Sequence, residues 1–308
     1  MSKVLITCVG NLTDDQLLYI DAIPELDDVA YVNKTIHCMG GRGALVALIL
    51  GRARISTSLV TVLPPTERAH EYMKFLERNN VNTEAIHFSE TCDSLFKVTI
   101  AISRKHNNCI SFFQPTNISF EVSDTQRKKV RDSNIVYFST HKRSFNRILL
   151  NEIDVSNCRI VHNVSSYFLQ DAEYVDVMLR KSNIFIFNEC EEEALLRRLG
   201  VTETRELFKM APRLEAIFAT QGEKGSVIYQ KNLPEQNVDA QRVSAISSVG
   251  AGDAYSAGIL YGLVQEWPYA YCAQFASELA SLSVGSETSY PDLECLDDLI
   301  LKYGGKEK

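Results

Sequence analysis

The sequence predicts an α/β protein in which helices cover both faces of a central, mostly parallel sheet. Short apolar runs typical of buried strands alternate along the chain with longer segments of helical periodicity. The chain has 308 residues, of which 45% are hydrophobic and 23% charged, so it can bury a large core. Two segments, residues 12–37 and 95–114, do not follow the alternation. We therefore expect one domain over residues 1–308 with a small addition of extra strands.

The individual elements follow from apolar runs, helical periodicity and turn residues. Strands are predicted at 4–9, 58–63, 135–139, 160–162, 184–187, 217–220 and 226–229. Helices are predicted at 43–51, 68–79, 171–181, 190–199, 253–265 and 269–284. In residues 95–114, polar and apolar side chains alternate on both sides of the polar stretch 104–108, which predicts two antiparallel strands.

Charge and composition exclude several classes of protein. The net charge of −7 argues against a surface for nucleic acid or an anionic membrane, since either would need a basic patch. No run approaches 18 apolar residues, and the first apolar run is too short for the core of a signal peptide. The eight cysteines are scattered without zinc-site spacing. We expect a cytoplasmic protein with reduced cysteines.

The glycine-rich turn that leads into the helix at 253 is the strongest chemical signal in the chain. Gly250 and Gly252 can adopt backbone angles that point successive N–H groups, including that of Ala251, toward one anion at the helix N-terminus. Asp253 follows at the helix entry, where its carboxylate could take a proton from a hydroxyl group. The alternative is that Asp253 only caps the helix, because Asp is a favoured N-cap.

The helix after this turn carries small residues on neighbouring turns. They are Ala254, Ala257, Gly258 and Gly262. A glycine inside a helix costs stability and usually has a reason. This face predicts very close packing against a neighbouring backbone.

Residues 247–258 resemble the C-terminal signature of the PfkB carbohydrate kinases, the ribokinase-like family. Three further segments resemble motifs of that family in the same order: the glycine pair within 39–44, the Asn-x-x-Glu element at 188–191 and the Thr-x-Gly-x-x-Gly element at 220–225. Together the four motifs span about residues 4–291. The resemblance implies a ribokinase-like three-layer α/β/α sandwich, with residues 12–37 and 95–114 forming a small lid.

The resemblance implies a kinase that transfers the γ-phosphoryl group of ATP to the primary hydroxyl of a sugar. Asp253 would be the base, and the amides of Gly250, Ala251 and Gly252 would form the anion hole. Glu191 and Asn188 would help to hold Mg²⁺ and phosphate through water. For Glu191 the alternative is a solvated face in a run of acidic residues at a helix start.

The same resemblance assigns residues to the nucleotide. Thr220, Gly222 and Gly225 would line the nucleotide side of the site. An ordinary turn between two strands is the alternative for these three residues.

Four residues are implied to bind the acceptor. Asp15 would hold two sugar hydroxyls, although neighbouring Asp14 could be the functional residue instead, or both could cap a turn. Gly40 and Gly41 would let the backbone approach the sugar, unless they only begin a helix. Arg42 stands where ribokinases usually have lysine.

Departures from the ribokinase pattern leave the acceptor open. Leu45 replaces an asparagine that contacts the sugar, which argues against ribose, and residues 163–168 are closer to the corresponding stretch of adenosine kinases. Ser247 and Ser248 replace the usual Asp-Thr, which argues against activation by potassium. A nucleoside kinase and a non-catalytic regulatory protein on the same fold therefore remain alternatives.

Two further expectations concern the lid strands and a histidine. In this family the lid often pairs with a second subunit, so a homodimer is possible, whereas the alternative is a hairpin at the sheet edge without a role in binding. His162 ends an apolar strand, and we expect it to be packed and hydrogen-bonded rather than catalytic.

Overall fold

The computed structural model describes residues 5–91, 94–105, 109–114, 121–140 and 142–304. The strands are β1 (Leu5–Val9), β2 (Thr13–Ile20), β3 (Val32–Gly40), β4 (Ser56–Leu63), β5 (Val81–Asn82), β6 (Ile86–Phe88), β7 (Phe96–Ser103), β8 (Cys109–Gln114), β9 (Ile135–Phe138), β10 (Arg159–Asn163), β11 (Ile184–Asn188), β12 (Ala216–Thr220), β13 (Ser226–Gln230) and β14 (Gln236–Val238). The α-helices are α1 (Arg42–Arg52), α2 (Glu67–Arg78), α3 (Asp124–Arg131), α4 (Arg143–Glu152), α5 (Ala172–Lys181), α6 (Glu189–Leu199), α7 (Leu207–Met210), α8 (Ala251–Val264), α9 (Tyr269–Val284) and α10 (Leu293–Gly304).

The central sheet is mostly parallel, as predicted. Its strand order is β14-β13-β12-β11-β10-β9-β1-β4-β5, with β6 paired to β4. The pairs from β5 to β12 are parallel, and β13 and β14 add two antiparallel pairs at one edge. Parallel strands buried on both faces read as continuous apolar runs, which is why most of them could be identified from the sequence.

Two hydrophobic cores lie on opposite faces of this sheet. Along β9, Ile135 and Tyr137 belong to one core, whereas Val136 and Phe138 belong to the other. Because successive side chains of a strand point to opposite faces, the two cores must be separated by the sheet. Helices α1, α8 and α9 contribute to the first core, and α4, α5 and α6 to the second. This arrangement confirms the three-layer α/β/α sandwich.

A second sheet of four strands contains the two segments that broke the alternation. Its order is β3-β2-β7-β8. The pair β7–β8 is antiparallel, as predicted, and the pair β2–β3 is also antiparallel, whereas the central pair β2–β7 is parallel. Part of the connection predicted at 104–108, residues 106–108, lies outside the described residues. The parallel pairing was not predicted, because strand periodicity does not reveal which distant strand becomes the partner.

Seven of the described elements were not predicted: β5, β6, β14, α3, α4, α7 and α10. Helix α3 is a short, highly charged segment that buries only Gln126 and Val130, so its apolar periodicity is too weak to detect. It is instead held by a capping box between Ser123 and Gln126. In the part of the chain that is described, no helix combines the length and the apolar character that crossing a membrane requires.

Helices α8 and α9 pack almost backbone to backbone through the small-residue face predicted above. A Cβ atom added to Gly258 would lie 2.5 Å from Cα of Ala276, and one added to Gly262 would lie 2.6 Å from Sγ of Cys272. No side chain fits in either place without movement of α9. The glycines therefore set how closely α8, which carries Asp253, lies against its neighbour.

We predict that Gly258→Ala destabilises the protein by about 1–2 kcal/mol, since overpacking outweighs the gain in helix propensity. The measurement is urea unfolding followed by circular dichroism. Gly285→Ala is the matched control, because Gly285 has a φ of −81° and an added Cβ would lie 3.7 Å from the carbonyl oxygens of Ser281 and Leu282, at ordinary contact distance. That variant should stay within about 0.5 kcal/mol of the wild type. Equal stability of Gly258→Ala and wild type would contradict the close packing.

Candidate active site

A cavity of about 600 Å³ lies between the central sheet and the second sheet. Its floor is formed at the carboxyl ends of central strands, by residues such as Asn11, Asn163 and Asn188. Its roof comes from the second sheet, where Val98 and Phe113 face it. The carboxyl ends of parallel strands are where open α/β sheets commonly bind ligands. The cavity is therefore the candidate active site.

The N-terminus of α8 opens into this cavity. Gly250 is the N-cap, with a φ of 78°, and an added Cβ would lie 1.9 Å from the carbonyl oxygen of Ser289. Only glycine fits there. The first N–H groups of a helix have no intrahelical acceptor, and the helix dipole favours an anion beside them. Gly250 and Gly252 line the cavity, whereas the amide of Ala251 donates to the carbonyl of Ser248 at 3.4 Å.

Asp253 lies in the first turn of α8 and faces the cavity. It does not cap the helix, because the N-cap is Gly250 and no side chain makes a capping hydrogen bond. The capping alternative is therefore wrong. Burial raises the pKa of Asp253 to about 6, and the charges of Asp15 and Glu191 also raise it, whereas Arg42 lowers it. A carboxyl group with a pKa close to neutral is suited to accept a proton at cellular pH.

Arg42, at the start of α1, connects two sides of the cavity. Its Nη1 donates to Oδ1 of Asn163 at 2.6 Å and to Oε1 of Glu191 at 3.0 Å. Burial would lower the pKa of this guanidinium, but the carboxylates of Glu191 and Asp253 outweigh that effect and raise it. Arg42 is therefore a fixed positive charge beside three carboxyl groups, if Asp15 across the cavity is included.

Glu191 is buried, with 8% of its surface exposed, so the alternative of a solvated helix face is wrong. Asn188 and Glu191 form a capping box at the start of α6: Oδ1 of Asn188 accepts the Glu191 N–H at 2.9 Å, and Oε2 of Glu191 accepts the Asn188 N–H at 3.1 Å. Among the described residues, no group of three or more acidic, His or Cys side chains could hold a metal alone. One carboxylate fits a Mg²⁺ that arrives with nucleotide phosphates and keeps its waters.

Asp15, on β2, reaches the cavity from the second sheet. It is 4% exposed, and it accepts hydrogen bonds from Oγ1 of Thr13 at 2.6 Å and from Oγ of Ser289 at 2.9 Å. Burial raises the pKa of Asp15, and these two hydrogen bonds counteract the rise. Asp14 does not line the cavity. Its carboxylate points to α2 instead, where Oδ1 accepts a hydrogen bond from the Tyr72 hydroxyl at 2.5 Å.

The glycine pair before α1 has two separate structural roles. An added Cβ on Gly40 would lie 1.9 Å from Oδ2 of Asp15, so this glycine makes room for the carboxylate. Gly41 is the N-cap of α1 with a φ of 96°, and an added Cβ would lie 2.6 Å from the carbonyl oxygen of Asn11. Gly41 lines the cavity beside Arg42 and also begins the helix, and its approach to an acceptor stays a prediction.

Of the three residues predicted on the nucleotide side, Thr220 lines the cavity. Gly222 and Gly225 do not; they form the turn between β12 and β13, with φ values of 58° and 97°. An added Cβ on Gly225 would lie 2.0 Å from the carbonyl oxygen of Val238, so it permits close passage of β14. The geometry explains these two glycines by the turn that they form. Their contact with a nucleotide stays a prediction.

The polar residues of the cavity that were missed from the sequence include Asn11, Asn163 and Ser289. Within the described residues, Oδ1 of Asn11 is a buried atom without a hydrogen-bond partner, and the residue is 8% exposed. The signal for Asn11 and Asn163 was their place at or just after the carboxyl end of a strand. Ser289 had no such signal, because it lies between two helices.

His162 is packed in the core, as predicted. Its Nδ1 pairs with Oγ of Ser182 at 2.8 Å and its Nε2 with the hydroxyl of Tyr174 at 2.7 Å. Burial lowers the pKa of His162 to about 3, so the ring stays neutral. It lies outside the cavity lining.

Comparison with known proteins identifies the family. The family description "pfkB family carbohydrate kinase" matches residues 3–294. The nucleoside kinase of Methanothermobacter thermautotrophicus is 26% identical over 296 residues, which cover 92% of this chain and 91% of that protein. The nucleoside kinase of Methanocaldococcus jannaschii is 23% identical over 300 residues, covering 93% of each chain.

The crystal structure of the Methanocaldococcus jannaschii nucleoside kinase, described as an archaeal member of the ribokinase family, shares the fold. Its TM-score is 0.75 at 22% identity, and the match covers 97% of this chain and 98% of that one. The family match spans nearly the whole chain and therefore includes both sheets and every residue of the cavity. The chain belongs to the pfkB family of carbohydrate kinases and is a kinase with the ribokinase fold.

Proposed function

We propose that this kinase transfers the γ-phosphoryl group of ATP to the primary hydroxyl of a sugar ring that belongs to a nucleoside. The observation that carries the proposal is the position of Asp253. Its carboxylate faces the same cavity as the open amides at the start of α8 and as Asp15 on the opposite sheet. A base, an anion-binding helix end and a group that binds hydroxyls thus share one space.

The transfer follows from these positions. Asp15 accepts hydrogen bonds from two acceptor hydroxyls and holds the reacting hydroxyl beside Asp253. The carboxylate of Asp253 takes the hydroxyl proton as the new oxygen–phosphorus bond forms and the bond to the β-phosphate bridging oxygen breaks. The amides of Gly250, Ala251 and Gly252 stabilise the phosphoryl oxygens, although Ala251 must first release its long bond to Ser248.

Arg42 and Glu191 complete the charge distribution. Mg²⁺ bound to ATP neutralises charge on its phosphates, and Glu191 with Asn188 would hold that ion through water. Arg42 donates a hydrogen bond to Glu191 and lowers the pKa of Asp253, which favours the carboxylate form of that base. Thr220 faces the cavity on the side of Asn188, where the nucleotide phosphates would lie. Gly222 and Gly225 would shape the turn behind it.

Three observations support a nucleoside rather than a free sugar. The two relatives reported above, at 26% and 23% identity over more than nine-tenths of the chain, are nucleoside kinases. The cavity extends beyond Asp15 along an apolar wall of Val98, Ile100 and Phe113, which suits the flat face of a base. Leu45 also faces the cavity where a polar contact to a free sugar would be needed. A free sugar is the second candidate, since the family is one of carbohydrate kinases.

A homodimer through the second sheet and a cytoplasmic location complete the proposal. Strand β8 at the edge of this sheet exposes Ile110 and Phe112, which a second copy could cover. The described cysteines are all free thiols. A reducing compartment keeps thiols in that state.

The proposal predicts ATP-dependent phosphorylation of at least one nucleoside in a panel of nucleosides, pentoses, hexoses and acidic sugars. The measurement is ADP release from Mg·ATP. Asp253→Asn keeps the shape of the side chain but removes the base, so we expect kcat to fall by at least about 100-fold. Its circular dichroism spectrum and nucleotide affinity should stay close to wild type. Near-wild-type turnover by this variant would overturn the assignment of Asp253, and sugars alone as acceptors would overturn the nucleoside.

The pH dependence of kcat/KM provides a second prediction. Asp253 must be deprotonated to act, so activity should fall as the pH drops through about 6, where its carboxyl group becomes protonated. Arg42 lowers this pKa, so Arg42→Gln should move the acidic limb to higher pH. Arg42→Lys keeps the charge and is the matched control. An acidic limb at the same pH in Arg42→Gln and wild type would contradict the electrostatic role.

A further inference from the structure

The segment between α9 and α10 touches both halves of the cavity through one residue. Ser289 is 1% exposed and lines the cavity. Its hydroxyl donates to Oδ2 of Asp15 at 2.9 Å, on the second sheet. Its carbonyl oxygen packs against Gly250 at the start of α8, only 1.9 Å from the position that a Cβ on Gly250 would take. The segment therefore joins the acceptor side to the anion-binding turn.

Two further contacts attach the second sheet to this segment, one from β2 and one from β3. The hydroxyl of Tyr19, which lies on β2 with Asp15, donates to the carbonyl oxygen of Glu287 at 2.8 Å. Lys34 on β3 also pairs with the carboxylate of Glu287 at 2.5 Å. These contacts hold β2 and β3 against the segment, whereas the hydrogen bond from Ser289 fixes the position of the Asp15 carboxylate itself.

The Asp15 carboxylate accepts hydrogen bonds from the protein and still has positions free for an acceptor. A carboxylate offers about four lone-pair positions. Oγ1 of Thr13 occupies one at Oδ1, and Oγ of Ser289 occupies one at Oδ2. About two lone-pair positions remain, one on each oxygen. They can accept hydrogen bonds from two acceptor hydroxyls only if the carboxylate plane is held in one orientation. Thr13 lies two residues away on the same strand and cannot fix the carboxylate relative to α8. Ser289 can, because it bonds the carboxylate and also packs against Gly250 at the start of α8.

We infer that Ser289 is a positioning residue for the transfer: it orients the Asp15 carboxylate relative to the anion-binding turn at Gly250, so that the bound acceptor hydroxyl faces Asp253. This inference rests on the proposed function and adds a residue outside the four motifs. Ser289 does not itself react. It acts through Asp15, and its effect is therefore confined to the acceptor.

The test is Ser289→Ala in steady-state kinetics with the nucleoside that the panel identifies. A hydrogen bond to a charged group contributes about 1.5–3 kcal/mol, and a tenfold change corresponds to about 1.4 kcal/mol, so we expect the acceptor KM to rise about tenfold or more. The KM for ATP should change less than about threefold, because Ser289→Ala keeps the carbonyl group that contacts Gly250.

Ser283→Ala is the matched control. Ser283 is also fully buried, and its Oγ donates to the carbonyl of Val249, in the same turn, at 3.5 Å. It makes no hydrogen bond to Asp15. A general effect of removing a buried hydroxyl near the turn would appear in both variants, whereas an effect through Asp15 would appear in Ser289→Ala alone.

A double-mutant cycle with Asp15→Asn decides whether Ser289 acts through Asp15. If it does, Ser289→Ala should change the acceptor KM by less than about twofold when Asp15 is already replaced. Where turnover of a variant is too slow, the acceptor Kd from calorimetry replaces KM.

The outcomes separate this inference from the proposed function. A wild-type enzyme that phosphorylates a nucleoside, with a selective rise in acceptor KM that disappears in the Asp15→Asn background, supports both. An active wild type with Ser289→Ala indistinguishable from Ser283→Ala overturns the role of Ser289 and leaves the kinase intact. An additive cycle also overturns it. A wild type without turnover of any acceptor overturns the proposed function and, with it, this role.

Discussion

The site depends on one guanidinium that is held among three carboxylates. Asp15, Asp253 and Glu191 face the same cavity, and the negative charges of Asp15 and Glu191 add to the effect of burial in raising the pKa of Asp253. Arg42 offsets this repulsion by binding Glu191 directly and by lowering the pKa of Asp253. Because Nη1 of Arg42 also binds Asn163, the charge is tied to the carboxyl end of β10. Without that cation, the pKa of Asp253 would rise further, and the protonated carboxyl group could not take a proton.

Close backbone packing provides the geometry in which this charge can act. Gly40 makes room for the Asp15 carboxylate, Gly250 makes room for the Ser289 carbonyl, and Gly258 lets α8 lie against α9. Each of these glycines brings a functional group to the cavity by allowing another segment to approach where a side chain would stand. The turn before α8, strand β2 and the segment before α10 are thus parts of one packed unit, although they are distant in sequence.

Local signals in the chain predicted much of the fold and about a third of the residues that line the cavity. Continuous apolar runs identified most parallel strands, because both faces of those strands are buried. The turn at 247–258 identified Asp253 and its amides because their spacing is local. Helices α3 and α10 escaped detection, since α3 has little apolar periodicity and is held by its cap. Gly222 and Gly225 were placed with the nucleotide, yet the geometry uses them in a turn.

The sequence by itself determined the fold class, the kinase family and the order of the motifs, because each depends on local periodicity or on a few neighbouring residues. Only the tertiary structure decided which of Asp14 and Asp15 faces the cavity, since alternate residues of a strand point to opposite faces and the pairing with β7 sets which face is covered. It also decided that Arg42 pairs with Glu191 and that Ser289 reaches Asp15, contacts that span 149 and 274 residues. Such contacts arise from the packing of whole elements, and no spacing along the chain encodes them.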